Sequence, residues 1–289
     1  MLRGSSYLRE LVKAERLTAI VDVGANPVDG DPAYVDMLRS GLCTVTGFEP
    51  QPEALAALQR RKGPLETYLP DAVGDGETHT LRVTAASGMT SLLEPDTERL
   101  GMFNGFSEWG RVLRRVSLPT SRLDDVEAIE HMDMLKIDVQ GAELTAFRGA
   151  MNRLGECVVV HTEVSFVPLY EDQPTLADVD HELRALGFIP HAMADLKRWP
   201  IAPVVYDGDL RRPMHQLLEA DMVYARDIMR PDDLTDDQLR HLALIGHCVY
   251  GSSDLTHRSI MALCERGLAP PGAPDEYIAR AHPVGRGQR

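Results

Sequence analysis

The first sixty residues alternate short apolar runs with amphipathic stretches, and this alternation restricts the fold more than any other feature of the chain. Residues 19–23 form a short apolar run of strand length, and residues 43–48 form a second run rich in strand-forming residues. Residues 32–39 and 51–62 instead have the apolar spacing of helices. Strand, helix, strand, helix at this spacing predicts right-handed βαβ units, and therefore a mostly parallel sheet with helices on both faces.

The rest of the chain extends this α/β pattern. Five further runs have the composition of strands, at residues 65–69, 134–139, 157–166, 188–193 and 221–225. Residues 78–84 and 89–93 predict a β excursion above the sheet. The polar, Gly-rich residues 94–110 contain three aromatic side chains and predict a mobile loop over a pocket. We expect one domain over residues 1–230, with an amphipathic opening helix, and a helical extension over residues 231–289.

The end of the chain departs from the alternation. Residues 195–215 are rich in Pro, Arg and Asp and predict a long loop between the last two strands. Residues 235–266 predict two short helices split near Gly251, and the final residues are expected to be frayed. These helices have an apolar stripe: Leu239, Leu242, Leu244, Ile245, Val249, Ile260, Leu263 and Cys264. The stripe would either dock on the domain or form a homodimer with a second chain.

Composition excludes several classes of function. The 44 acidic and 30 basic residues give a formal charge of -14, which disfavours a nucleic-acid substrate. The four cysteines form no CxxC pair and have no metal-ligand spacing, so we interpret them as reduced core thiols. The chain contains neither an apolar signal-peptide stretch nor about 18 consecutive apolar residues, which predicts a soluble, cytoplasmic protein without a membrane span.

The most specific local signal is the sequence VDVGAN at residues 21–26. Ligands bind at the carboxyl ends of parallel strands, and Gly24 would let the backbone approach such a ligand closely. A dinucleotide-binding turn would have G-x-G-x-x-G, whereas this chain has G-A-N-P-V-D-G, which argues against NAD. Asp22 and Asn26 suit an ammonium group and its waters, as in the methionine part of S-adenosylmethionine (SAM).

Acidic side chains also end the next two strands. Glu49 follows the second strand, where its two oxygens could accept from both ribose hydroxyls of a nucleoside. Asp71 follows the third strand and could accept from an adenine amine, while Ala72 could offer backbone groups to the ring edge. Each residue alone also fits an ordinary turn or a solvated strand end. Their order on successive strands favours one ligand that combines a nucleoside with an amino acid.

These motifs resemble the FkbM family of class I SAM-dependent methyltransferases over about residues 18–195. Besides VDVGAN, the similar segments are FEP at 48–50, TSLL at 90–93, SRLDD at 121–125 and, most specifically, LKIDVQGAE at 135–143. The resemblance implies a Rossmann-like class I methyltransferase fold with a seven-stranded, mostly parallel sheet whose last strand is antiparallel. It also implies SAM as cofactor, with contacts from Asp22, Gly24, Asn26, Glu49 and Asp71. Many members have an acid where this chain has Gln140.

Candidate catalytic residues lie on the fourth and fifth strands of the predicted sheet. Asp138 ends the fourth, and His161 and Glu163 share a face near the end of the fifth. Methyl transfer from a sulfonium needs an aligned acceptor oxygen and a base for its proton. His161 is the first candidate for this base, with Asp138 or Glu163 holding its tautomer; the alternative is a satisfied histidine on a buried strand. The three side chains could also hold a divalent metal, although no ligand spacing requires one.

Three further side chains have candidate roles. Lys136 lies inside an apolar strand, so we expect it to pair with a nearby carboxylate. Ser91, in the β excursion, and Trp109, in the aromatic segment, could bind the acceptor; local packing is the alternative for both.

The sequence therefore predicts a SAM-dependent O-methyltransferase that acts on a hydroxyl of a small-molecule or glycan acceptor, since FkbM members mostly modify sugars, polyketides and other natural products. Two alternatives stay open at this point. One is a SAM-binding scaffold that has lost catalysis and binds a partner through its C-terminal helices. The other, disfavoured by the missing phosphate glycines, is a nicotinamide or nucleotide-sugar enzyme.

Overall fold

The computed structural model describes residues 5–26 and 30–281. Its strands, in chain order, are β1 (Thr18–Val23), β2 (Cys43–Phe48), β3 (Glu66–Leu69), β4 (Ala72–Val73), β5 (Thr78–Thr84), β6 (Val112–Ser121), β7 (Met134–Ile137), β8 (Val159–Ser165), β9 (Phe188–Trp199) and β10 (Gln216–Arg226). Seven of them form the main sheet in the order β3-β2-β1-β7-β8-β10-β9. Only β10 runs antiparallel to its neighbours. The predicted seven-stranded, mostly parallel sheet with an antiparallel last strand is thus confirmed.

Helices cover both faces of this sheet. They are α1 (Ser5–Val12), α2 (Val35–Arg39), α3 (Pro52–Arg61), α4 (Thr97–Leu100), α5 (Phe106–Trp109), α6 (Glu143–Arg148), α7 (Met151–Glu156), α8 (Leu176–Ala185), α9 (Asp236–Cys248), α10 (Ser253–Glu265) and α11 (Ala273–Ala281). Helices α1, α9, α10 and α11 share one apolar cluster with one face of the sheet. Helices α6, α7 and α8 bury the other face. None of the helices in the described part of the chain has the length and apolarity that a membrane span requires.

The C-terminal helices are packed against the sheet. The predicted split near Gly251 is confirmed, and apolar side chains of α9 and α10 lie in the same cluster as Ile20 and Met134. Of the two alternatives for the apolar stripe, the structure shows docking on the domain. The expectation of a frayed end was wrong for α11, because its Ala273 and Tyr277 are buried in that cluster. Residues 282–289, on which the rest of this expectation falls, lie outside the described residues. The boundary near residue 230 and the homodimer stay predictions, and a second copy would need a surface other than this stripe.

The smaller sheet confirms part of the predicted β excursion. Strands β4, β6 and β5 form a second sheet beside the main one. The run at 89–93 was predicted to be extended, but it follows a short 3-10 turn, and only Ser91 forms a bridge, to Arg82. The antiparallel pair of β5 and β6 therefore forms this excursion, with α4 and α5 between the two strands in the chain, and Ser91 of the 89–93 segment lies against β5.

The aromatic segment at 94–110 is folded and not the mobile loop that the sequence predicted. It contains α4 and α5, and Asp96 caps α4 by accepting from two backbone N–H groups. Phe103 and Phe106 are buried. Trp109 packs against Phe106 and Trp199, with ring centroids 5.4 and 5.8 Å apart. Burial of these rings offsets the loss of chain entropy, so polar, Gly-rich sequence is compatible with order here.

The cysteines agree with the sequence interpretation. All four are free thiols, and Cys43, Cys157 and Cys248 are buried among apolar neighbours. Burial raises the pKa of Cys43 and of Cys157 to about 12 in each case, so both stay protonated near neutral pH.

Candidate active site

Two cavities lie along the carboxyl ends of the parallel strands. The larger, of about 640 Å³, includes four neighbouring polar side chains of the sheet in its wall: Asp22, Lys136, His161 and Asp221. The smaller, of about 140 Å³, has in its wall most of the predicted cofactor contacts together with one predicted acceptor contact: Gly24, Glu49, Asp71, Ala72 and Ser91. Asn26 and Asp138 line both cavities. The two spaces therefore meet at the ends of β1 and β7.

The smaller cavity has the chemistry that a nucleoside requires. Glu49 is 2% exposed, and one of its carboxylate oxygens accepts a hydrogen bond from the backbone N–H of Gln51 at 2.8 Å. Burial raises the pKa of its carboxyl, and the Gln51 N–H and Lys136 act in the opposite direction. The Asp71 carboxylate accepts from the Ser121 hydroxyl at 3.1 Å. Apolar side chains, among them Phe48, complete the walls, so an aromatic base and a polar ribose both find matching surfaces.

Gly24 is required by the protein backbone itself. Its φ is +77°, and a Cβ there would lie 2.2 Å from the carbonyl oxygen of Asp138. The sequence prediction gave a different reason, a close approach of the backbone to a ligand. In the structure, the missing side chain lets the turn after β1 contact the end of β7, although Gly24 also lines the smaller cavity.

Asp22 lies at the centre of a buried polar network. It is 3% exposed, accepts from the Tyr34 hydroxyl at 2.5 Å and lies 3.4 Å from the Lys136 ammonium. The expected ion pair of Lys136 is therefore confirmed. Asp22 faces the larger cavity, whereas Glu49 and Asp71 line the smaller one. The three strand-end acids do not converge on a single space, and only the junction at Asn26 and Asp138 connects them.

His161 lines the larger cavity. Asp22, Lys136 and His161 occupy paired positions on β1, β7 and β8, which places them side by side across the sheet. Burial lowers the pKa of His161, Asp221 raises it, and Lys136 lowers it. Burial therefore favours the neutral imidazole, although the cavity wall around it carries both positive and negative charges.

The predicted partner of His161 was wrong. Neither Asp138 nor Glu163 bonds to the ring; its Nδ1 lies 3.1 Å from the hydroxyl of Tyr250. Tyr250 lies between α9 and α10, and its ring centroid is 6.0 Å from that of His161. The two carboxylates are engaged elsewhere, which explains the difference.

Gln140 bridges those two carboxylates. Its side-chain amide donates to Asp138 at 2.8 Å and to Glu163 at 3.2 Å. Glu163 also accepts from Lys197 at 3.2 Å and lines neither of the two cavities. Burial, followed by Glu219 and Asp138, raises the pKa of Glu163 well above its ordinary value. An acid at position 140 would add another negative charge to this cluster, so the amide has a clear electrostatic role.

The two predicted acceptor contacts lie apart from the larger cavity. Ser91 is buried in the wall of the smaller cavity, where its hydroxyl donates to the Gln140 carbonyl at 2.6 Å. Trp109 lines neither cavity and packs in the aromatic cluster. Their roles toward an acceptor stay predictions.

Asp138, His161 and Glu163 do not form a compact set of metal ligands. Within residues 5–26 and 30–281, such a set is found at Asp133, Asp237 and His241, whose ligand atoms lie within 4.8 Å of one another. The Arg16 guanidinium already bridges these acids, at 2.6 Å from Asp133 and 2.7 Å from Asp237. This cluster therefore holds a cationic side chain that fastens α9 to the sheet.

Sequence reasoning missed three residues of the larger cavity's environment: Tyr34, Asp221 and Tyr250. Asp221 begins the run predicted as the last strand, but in the structure it lies in the middle of β10, opposite Glu163 of β8, a register that the sequence does not show. Tyr34 and Tyr250 lie in turns next to helices, and no local sequence pattern distinguishes them from tyrosines that lie far from a site.

Comparisons with known proteins agree with this geometry. The family model described as the methyltransferase FkbM domain matches residues 22–190. The 2-O-methyltransferase NoeI of Sinorhizobium fredii (strain NBRC 101917 / NGR234) is 28% identical over 163 residues, which are 53% of this chain and 66% of that protein. The match thus covers just under two thirds of this relative's length.

Two solved structures are more distant. The precorrin-6y C5,15-methyltransferase of Geobacter metallireducens GS-15 aligns with a TM-score of 0.33 and 12% identity, over 77% of this chain and 88% of that chain. LepI in complex with SAM aligns with a TM-score of 0.32 and 11% identity, over 77% of this chain and 46% of that chain. Both scores are below 0.5, so neither structure informs the site. The family match covers more than half of the chain, and the strand order is that of a Rossmann-like class I fold; the protein belongs to the FkbM family of methyltransferases, with SAM as its cofactor.

Proposed function

We propose that the protein transfers the methyl group of SAM to a hydroxyl of a saccharide or another small natural product. The observation that carries this proposal is the junction of the two cavities at Asn26 and Asp138. A wall of polar and apolar side chains that suits a nucleoside lies on one side of the junction, and His161 lies on the other. The relative's description as a 2-O-methyltransferase supports an oxygen acceptor.

The smaller cavity would hold the adenosine part of SAM. Glu49 would accept from the ribose hydroxyls, and Asp71 and Ala72 would contact the adenine edge. Asn26 and the backbone of Gly24 would contact the methionine part at the junction. Asp22 would not contact SAM directly but would position Lys136 and Tyr34 at the junction, because its two oxygens face those two side chains. When bound, SAM supplies a methyl group on a good leaving group.

The larger cavity would hold the acceptor. Its volume of about 640 Å³ accommodates a monosaccharide-sized group, and its polar wall suits a molecule with several hydroxyls. His161 would take the proton of the attacking hydroxyl at Nε2, with Nδ1–H donating to Tyr250. Alignment of the acceptor oxygen at the junction would supply much of the rate enhancement.

This assignment predicts the acid side of the pH profile. Burial lowers the pKa of His161 below the ordinary value of 6.5, so turnover should persist at pH 7 and fall only below pH 6.5. The Asp221 charge favours the imidazolium, so Asp221→Asn should lower the pKa of His161 further. We expect the acid limb of kcat to move to lower pH. Asp232→Asn, which changes an exposed acid, is the control, and an acid limb that stays in place or rises contradicts the assignment.

The function itself is tested by incubating the purified protein with SAM and a panel of free sugars, glycosides and hydroxylated natural products. Mass spectrometry should find a product that has gained one methyl group, and hydrolysis of the product should locate the methyl on oxygen. SAM binding by calorimetry without transfer to any member of the panel would favour the scaffold alternative. Absence of SAM binding would contradict both.

A further inference from the structure

The turn of residues 138–142, which joins β7 to α6, forms part of the junction of the two cavities and has an unusual backbone shape. Asp138, Val139 and Gln140 line the smaller cavity, and Asp138 also lines the larger one. Gln140 has a φ of +52° and Gly141 a φ of +99°. The left-handed region is unfavourable for a residue with a side chain such as Gln140, so surrounding contacts must hold the turn in this shape.

A single buried carboxylate makes two of these contacts. Glu143 is 5% exposed, and its Oε1 accepts from the backbone N–H of Val139 at 3.1 Å and from that of Gly141 at 3.2 Å. These two N–H groups flank Gln140, so one oxygen fixes the backbone on both sides of the left-handed residue. Because a buried N–H that loses its acceptor is costly, the carboxylate stabilises this particular shape of the turn.

Glu143 itself is fixed by the core of the protein. It is the first residue of α6, and the next buried residues of this helix, Leu144, Ala146 and Phe147, pack in the cluster that covers one face of the sheet. Its side chain lines neither cavity. The carboxylate therefore ties the 138–142 turn to a well-packed helix, and any effect on a bound molecule passes through the turn.

We propose that Glu143 is a positioning residue, which holds the 138–142 turn in the shape that places Asp138 between the cofactor and the acceptor. This role rests on the proposed function, which assigns the two cavities to these two molecules. Methyl transfer needs the donor carbon and the acceptor oxygen in line, and a displacement of about 1 Å can cost about a hundredfold in rate. Loss of the clamp would therefore weaken the site although no residue that contacts SAM or the acceptor is changed.

The clamp needs an acceptor oxygen and not a negative charge. Burial raises the pKa of Glu143 to about 7, against the effect of its backbone hydrogen bonds, and the Asp138 charge raises it as well. The carboxyl is thus partly protonated at neutral pH. A glutamine has the same length and also offers an oxygen, so Glu143→Gln should retain the turn, whereas Glu143→Ala leaves two N–H groups without their acceptor.

Hydrogen–deuterium exchange and calorimetry with SAM test this role without an acceptor. In Glu143→Ala, the backbone amides of the 138–142 turn should exchange at least about tenfold faster, because two of them lose a buried acceptor. The Kd for SAM should also rise about tenfold, because Val139 and Gln140 line the cavity proposed for the adenosine part. With an acceptor found by the panel, kcat should fall at least about tenfold.

Leu144→Ala is the matched control, because it truncates the neighbouring buried residue of α6 and leaves the hydrogen bonds of the turn in place. Leu144 is 8% exposed and lies in the core cluster, so this variant should lower the Tm. Exchange of the turn and the Kd for SAM should nevertheless stay at the wild-type values. Glu143→Gln should keep these values too. Circular dichroism checks that all variants are folded at the temperature of the measurements.

Three results would overturn the role of Glu143. They are wild-type exchange of the turn in Glu143→Ala, an equal loss of SAM affinity in Leu144→Ala and Glu143→Ala, and no rescue of either value by Glu143→Gln. Glu49→Ala separates this failure from that of the proposed function. If Glu49→Ala loses SAM affinity and Glu143→Ala keeps it, only the role of Glu143 is wrong; if both variants keep it, the cofactor lies elsewhere and both proposals are wrong.

Discussion

Glu49→Ala is expected to weaken SAM binding at least about a hundredfold. The Glu49 carboxylate is buried at the end of β2 in the wall of the smaller cavity, beside apolar side chains. A charged acceptor that bonds both ribose hydroxyls contributes about 1.5–3 kcal/mol for each hydrogen bond, and alanine removes both bonds. Titration calorimetry with SAM measures the change directly.

Two further variants test whether the loss of affinity is due to the charged carboxylate of Glu49. Glu53→Ala removes an exposed acid from the first turn of α3 and should leave the affinity for SAM unchanged. Glu49→Gln retains the size of the side chain but loses its charge, so an intermediate loss is expected. Wild-type affinity for SAM in both Glu49 variants would contradict the placement of its adenosine part in the smaller cavity.

His161→Ala is expected to lower kcat by about 10² to 10⁴-fold while the affinity for SAM stays within about twofold of the wild type. The imidazole lines the larger cavity, whereas the predicted nucleoside contacts line the smaller one. Its removal should therefore affect the reaction of the acceptor and not the binding of SAM. Steady-state kinetics with the acceptor found by the panel, together with calorimetry, separates the two effects.

The control for this variant is His181→Ala, which removes an exposed histidine of α8 and should leave turnover unchanged. If His161→Ala loses SAM binding and turnover together, the ring supports the cofactor or the fold and does not act as a base. If turnover is unaffected, another wall residue, such as Asp221, accepts the proton.

The centre of the main sheet could be predicted because its strands are largely buried on both faces. Runs such as 19–23 and 43–48 consist mainly of apolar and β-branched residues, and their spacing leaves room only for crossover helices. Strand β6 was missed for the opposite reason. Its side chains, including Arg114 and Arg115, are largely exposed, so the run lacks the apolar alternation by which a half-buried strand is recognised.

The site could be predicted only where it follows from chain order. The positions of Glu49 and Asp71 at strand ends depend on the βαβ pattern, and the structure places both in one wall. The partner of His161 depends on how α9 and α10 dock, and docking geometry leaves no signature in the local sequence. The aromatic segment was noticed for its composition, but its packing against Trp199 of β9 requires tertiary contacts that composition does not report.

The hydrogen bond between His161 and Tyr250 joins residues 89 positions apart, and only the first of them belongs to the region that defines the family. A fragment cut at the family boundary would retain every strand-end motif yet lack both the ring's partner and the helices that cover one side of the sheet. Relatives with identical motifs and different tails could thus differ in the basicity of the same imidazole. If His161 is the base, as proposed, its reactivity would depend on the tail while the strand-end motifs stay unchanged.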